Sequence, residues 1–162
     1  MKNIIKLFGI IALLAVIICA MSACSAKNQK HDPETDFEAE VFNDGKSVRI
    51  SGYLGNKWEI GIPPQINNLP VTIIGGEEVR TYSGNFRNKN IISIIFPDSV
   101  TSILEHRHGD TFEGNPLTSI TIGSNVVISN RAFNNGFSEY YNNNGRIAGT
   151  YTRDDDYNWT RK

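Results

Sequence analysis

Residues 91–133 carry one short pattern twice, and a chain that repeats itself at this period has few ways to fold. The first copy reads Ile91-Ile92-Ser93-Ile94-Ile95-Phe96-Pro97-Asp98-Ser99-Val100-Thr101-Ser102-Ile103 and closes at Phe112. The second reads Leu117-Thr118-Ser119-Ile120-Thr121-Ile122-Gly123-Ser124-Asn125-Val126-Val127-Ile128 and closes at Ala132-Phe133. Ile91 and Leu117, Ser93 and Ser119, Phe96 and Ile122, and Val100 and Val126 are each 26 positions apart. The closing phenylalanines are only 21 apart, which places a loop insertion at residues 105–110 of the first copy. A period of roughly 20–29 residues with apolar positions at fixed offsets predicts a solenoid, each coil burying one face against its neighbours.

An earlier, looser copy precedes these two. Trp58-Glu59-Ile60-Gly61-Ile62-Pro63 leads through Asn67-Asn68 into Val71-Thr72-Ile73-Ile74-Gly75, and Phe86 stands 26 positions before Phe112. That makes about three coils over residues 58–136. Upstream, Phe37, Ala39 and Val41 alternate with Glu38 and Glu40, and Val48 and Ile50 alternate with Arg49 and Ser51 across Asn43-Asp44-Gly45. Alternation around an Asp-Gly turn predicts a β-hairpin, here an amino-terminal cap over residues 37–57. Downstream, residues 137–141, the turn Asn142-Asn143-Asn144-Gly145, and residues 146–160 read as a β-meander capping the other end over residues 137–162. The expected fold class is mainly β, a short solenoid of about three coils with β-hairpin caps at both ends.

The folded part does not begin at Met1. Lys2 and Lys6 precede an almost wholly apolar run to Ala23, the layout of a secretory signal peptide over residues 1–23. Met21-Ser22-Ala23-Cys24 resembles the lipobox of bacterial lipoproteins, which implies lipid attachment at Cys24. Cys19 would leave with the signal, so the mature chain has no disulfide to form. Residues 24–36 are polar and read as a flexible tether. Loss of Lys2 and Lys6 takes the 16 basic residues to 14 against 17 acidic ones, a balance of −3 that speaks against a nucleic-acid partner.

The parts together resemble the BspA-like leucine-rich-repeat family of bacterial surface proteins. Ile62-Pro63, Val71-Thr72-Ile73-Ile74-Gly75, Phe96-Pro97-Asp98-Ser99-Val100-Thr101-Ser102-Ile103 and Leu117-Thr118-Ser119-Ile120-Thr121-Ile122 carry the likeness, which spans residues 37–162. It implies a leucine-rich-repeat domain on the cell envelope, in the outer membrane or at the cell surface, that adheres to host matrix or to other cells by binding proteins. The alternative is a structural or antigenic envelope lipoprotein with no dedicated ligand. Gly123, where the family places proline, is a departure. So is the small number of repeats, which limits the binding surface.

Reactive constellations are sparse. His106 and His108, two apart in Glu105-His106-Arg107-His108-Gly109-Asp110, have the alternation of zinc ligands on a strand, but a solvated insertion loop is the better reading. Three consecutive aspartates, Asp154, Asp155 and Asp156, suit a turn better than the alternating oxygens of a calcium loop. Tyr140, Tyr141, Tyr151 and Trp159 form either a binding patch or the packing of the cap. No phosphate loop or nucleophile elbow follows Gly75-Gly76 or any other glycine pair. The expectation is a non-enzymatic chain without metal or cofactor, whose partners are a protein ligand and, through Cys24, a membrane. Cys24→Ala is expected to move the protein from the detergent phase to the aqueous phase on Triton partition; retention in detergent would show that another segment holds the membrane.

Overall fold

The structure, a computed structural model, describes residues 30–42, 45–76, 86–106 and 109–162. The leader, Cys24, the turn residues Asn43 and Asp44, and the pair Arg107-His108 lie outside the described residues. Within them the chain is mainly strand.

Strand β1 (Phe37–Phe42) pairs antiparallel with β2 (Ser47–Tyr53), the hairpin that its alternation demands. Then follow β3 (Glu59–Gly61), β4 (Gln65–Ile66), β5 (Leu69–Ile74), β6 (Ser93–Ile95), β7 (Ser102–Ile103), β8 (Ser119–Ile122) and β9 (Val127–Ile128). Asn67 and Asn68, at φ 51° and 63°, turn β4 back onto β5; two consecutive positive φ values are what a two-residue hairpin turn requires, and asparagine tolerates them. The remaining strands alternate between two parallel ladders. One holds β2, β5, β7 and β9; the other holds β3, β6 and β8.

Ser93 lies opposite Ser119 and Ile94 opposite Ile120, so the 26-residue offset in the sequence is the register of β6 on β8. In the other ladder Ile103 lies opposite Ile128, an offset of 25. Period-two alternation sends one side chain in two inward. Ile50, Ile74, Ile103 and Ile128 from one sheet, and Ile60, Ile94 and Ile120 from the other, are all buried. Phe86, Phe112 and Phe133 form a column in that interior. Ring centroids are 4.9 Å apart for Phe86–Phe112 and 4.6 Å for Phe112–Phe133, the latter stacked at 7°. Phe96 meets Phe112 and Phe133 edge-on at 6.0 and 6.4 Å.

The insertion lies where the unequal spacing put it. His106 and Gly109 exchange backbone hydrogen bonds of 3.1 Å each, closing a small hairpin before Phe112. Asn115, buried beneath the neighbouring loop, accepts from the Lys89 and Ile91 N–H groups (3.0 Å each) and donates to the Phe86 and Phe112 carbonyls (2.6 and 2.9 Å). A single amide thus satisfies four backbone groups of loops that have no ladder to pair with.

Both ends depart from expectation. Residues 137–141, read as a strand, belong to helix α1 (Phe137–Asn143). Phe137 and Tyr141 are also four apart, the spacing of one helical face, and both are buried. The Asn135 side chain accepts the Phe137 N–H at 3.2 Å, and Asn142 Nδ2 donates to the Ile128 carbonyl at 3.1 Å, so the helix covers the free edge of β9. The meander is therefore reduced to the hairpin of β10 (Gly149–Arg153) with β11 (Trp159–Arg161), and β10 joins the second sheet antiparallel to β8.

The tether also ends sooner than expected. Residues 30–36 lie against the domain, with a 3₁₀ turn at Glu34–Asp36. The Asp32 N–H donates to the Gly61 carbonyl (2.9 Å), and the Asp32 carboxylate accepts the Gly61 N–H (2.8 Å) and pairs with Lys57. Gly61 permits this close approach, because a Cβ there would collide with the Lys30 carbonyl oxygen.

The phenylalanine column dominates the energetics, since a deleted core aromatic forfeits both transfer energy and packing. Phe112→Ala is expected to lower unfolding free energy by about 3–5 kcal/mol in urea titration, and Phe112→Leu by distinctly less. A loss for Phe112→Ala below about 1 kcal/mol, the average for an ordinary substitution, would show that the rings do not form the core.

Candidate functional site

The second sheet, in the order β11-β10-β8-β6-β3, presents a continuous outer face. Alternation places outward the side chains next to those that are buried. One row is Glu59, Ser93, Ser119, Thr152 and Thr160, joined in register across all five strands. The next is Ile95, Thr121 and Thr150, while Gly61, in register with Ile95, is buried beneath Lys30 and His31. The Thr121 and Thr150 hydroxyls are 2.8 Å apart. Parallel pairing aligns these residues because the repeat puts serine on serine; the Thr150–Thr152 extension comes from the carboxy-terminal hairpin. The face offers small hydroxyls at strand spacing, about 4.8 Å. Such a surface accepts and donates hydrogen bonds, with the exposed Glu59 carboxylate at its β3 edge.

The first sheet carries a different surface. A groove of about 490 Å³ opens between the end of the β1–β2 hairpin and the chain just past β5, β7 and β9. Arg49 lies over the Phe42 ring, its guanidinium carbon 4.6 Å from the centroid, and Nη1 is 3.2 Å from Glu40. Its Nε is buried with no hydrogen-bond partner among the described residues. Sequence reading placed Arg49 only as the polar half of an alternation, and its neighbours in space could not be read from that.

The residues singled out by sequence are distributed as follows. Cys24 lies outside the described residues, as does His108. His106 is buried at the base of its small hairpin, and Asp110 on the same loop reaches Arg131 at 3.4 Å. Among the described residues no three His, Cys, Asp or Glu side chains gather as a metal site would need. Asp154 closes its own turn: one carboxylate oxygen accepts the Asn158 N–H at 2.7 Å, and the Asp154 carbonyl accepts the Tyr157 N–H at 3.0 Å. Tyr141, Tyr151 and Trp159 are interior, around Phe137 at 5.8, 5.4 and 5.0 Å, with Tyr140 half-buried beside them. That cluster is cap packing. The Trp159 indole N–H donates to the Asn135 carbonyl at 3.0 Å, and the Tyr151 hydroxyl donates to the Ile147 carbonyl at 2.5 Å.

Four side chains have altered acidities, of which Lys57 and Tyr53 were not singled out by the sequence. Hydrogen bonding to Asp32 holds the Lys57 ammonium above its ordinary value, despite the opposing effect of desolvation. Burial raises the phenols of Tyr53, Tyr141 and Tyr151 above their usual value of 10.0; for Tyr141 a hydrogen bond from the Val126 N–H works against this. Phenols that resist ionisation when folded stabilise the fold fully below the unfolded pKa, and that contribution is lost as pH rises through the folded value.

A scan against protein-family models finds no match, and a search of curated proteins likewise finds none. Among solved structures the chain is similar to the crystal structure of a T. pallidum leucine-rich-repeat protein, with 25% identity, 60% of this chain and 41% of that chain covered, and a TM-score of 0.48. The matched region spans less than half of that protein's length.

The tyrosines give a direct test. Stability in urea is expected to be level with respect to these three phenols up to pH 10 and to fall above it. Tyr141→Phe should cost about 1–3 kcal/mol at neutral pH, because the Val126 N–H (3.3 Å) and the Gly123 carbonyl (2.6 Å) both lose their partner. Unchanged stability in that variant would mean the hydroxyl is not bonded as described.

Proposed function

We propose that this chain is a non-enzymatic, lipid-anchored bacterial surface protein whose domain is a short BspA-like leucine-rich-repeat solenoid that binds other proteins. In this reading the two parallel ladders are opposite sides of about three coils, capped by the β1–β2 hairpin and by α1 with β10 and β11. Cys24 carries the lipid, and the domain stands outside the membrane, at the outer membrane or cell surface, where it adheres to host matrix or to another cell. Among the described residues no helix is long and apolar enough to cross a membrane.

The observation that carries the reading is the outer face of the second sheet. Stacking repeats yields one extended surface from short local motifs, a shape suited to protein recognition. Serine and threonine aligned on four of the five strands, β6, β8, β10 and β11, make that surface here, and it is rigid because every strand of the parallel ladder is bonded to its neighbour. A standard interface uses about 800 Å² per partner. A face of this width reaches that size only when the whole of it is engaged, so one bulky charge in the middle is expected to suffice to break it.

Immobilised protein lacking its leader is expected to bind a matrix or cell-surface protein saturably in surface plasmon resonance. Ser119→Arg and Thr121→Arg, both on the outer face, should abolish that binding while leaving the urea midpoint nearly unchanged. A flat response across a broad panel of matrix and bacterial surface proteins would instead support an envelope protein with no dedicated ligand.

A further inference from the structure

Exposed apolar side chains gather where the chain emerges from its anchor. Leu54 is 55% exposed, Trp58 63% and Ile92 38%. Leu54 and Trp58 bound the loop between β2 and β3, and Ile92 is joined to Trp58 by a 2.7 Å hydrogen bond from its N–H to the Trp58 carbonyl. The same loop is fastened to the incoming chain on both sides. The Leu54 N–H donates to the Asp36 carbonyl at 2.8 Å, and Lys57 pairs with the buried Asp32 carboxylate. Trp58 thus sits beside residues 30–32, the point from which the chain leads back to Cys24.

Distance then restricts how the body can sit. Cys24 is six residues from Lys30, a span of at most about 22 Å even when fully extended. A domain of this length has a radius of gyration near 14 Å and is roughly 35 Å across. The leash is shorter than the body, so the side bearing Lys30 is held toward the bilayer. Tryptophan favours the membrane–water boundary, where its ring is half in hydrocarbon and its N–H is wet. Charges around the patch are on balance acidic, with Lys30 and Lys57 standing near four carboxylates, Asp32, Glu34, Asp36 and Glu59. Attraction to anionic headgroups therefore contributes little, and the contact is apolar.

We infer that Leu54, Trp58 and Ile92 form a membrane-contact patch that seats the domain on the surface of the bilayer in which Cys24 is anchored, fixing its orientation. This rests on the proposal of lipidation at Cys24. The chain has two tryptophans, and the second, Trp159, is 5% exposed in the far cap, so it serves as an internal control. The full chain purified from bacterial membranes would be reconstituted into phosphatidylcholine vesicles with brominated acyl chains, and its tryptophan emission compared with that in unbrominated vesicles. Quenching is expected in the wild type, to be lost in Trp58→Phe, and to be unaffected by raised salt. If the protein floats with the vesicles but wild type and Trp58→Phe are equally unquenched, the patch does not touch lipid and the inference falls while the anchor stands. If the protein fails to float, both the anchor and the inference fall.

Discussion

Continuous contact between aromatic rings holds this molecule in one piece. Phe86, Phe112 and Phe133 stack through the repeated segment, and Phe133 passes the contact to Phe137 at 5.2 Å. From Phe137 it spreads to Tyr141, Tyr151 and Trp159, so the carboxy-terminal cap is joined to the repeats by rings rather than by ladder alone. Each ring buried is worth about 1.5–3 kcal/mol, and each ring pair about 0.5–1.5 more. The Arg131–Asp110 pair at 3.4 Å, exposed on the arginine side, belongs to a class worth about 0–1 kcal/mol. Packing decides stability here; surface charge does not.

Given that interior, the arrangement of the ends follows from the need to cover strand edges. An uncovered edge is an invitation to pair with another chain. The first sheet closes its β9 edge with α1 through Asn142, and the second closes its β3 edge with residues 30–32 through Asp32. The hairpins extend the opposite ends, β1 beyond β2 and β11 beyond β10. A strand at residues 137–141 would have prolonged the first sheet and left another edge to cover. A helix instead brings Phe137 and Tyr141 inward together and ends the ladder.

What was legible in the sequence was periodic. The 26-residue offset gives the pairing of Ser93 with Ser119, and the spacing of the phenylalanines gives their column, because both follow from one strand lying on the next at fixed register. The amino-terminal hairpin followed from alternation about a glycine at φ 81°. Residues 137–143 were misread because Phe137, Glu139 and Tyr141 also alternate, and a helix of two turns is too short to declare its period. Asp32 and Asn115 were invisible for another reason. Each satisfies backbone groups more than twenty residues away, and no local pattern encodes such a partner. The candidate face was half legible: Ser93, Ser119 and Thr121 lie in the repeats, while Thr150 and Thr152 join only through an antiparallel pairing that nothing near them announces.

Few repeats make the caps part of the fold rather than decoration. In a long stack of like units each interior unit is covered twice, and the loss at the two ends is a small share of the total. Here the parallel part of the second sheet is only β3, β6 and β8, so just β6 has a repeat strand on both sides. Both flanks of the sheet must be supplied by sequence outside the pattern. Residues 30–32 supply one with a carboxylate that is buried yet fully engaged, accepting the Gly61 N–H and holding Lys57; β10 supplies the other with four residue pairs on β8. This is why the polar residues ahead of the first strand are ordered instead of free. It also ties the two surfaces together physically, since the same segment that flanks the second sheet at β3 carries the chain toward its amino terminus.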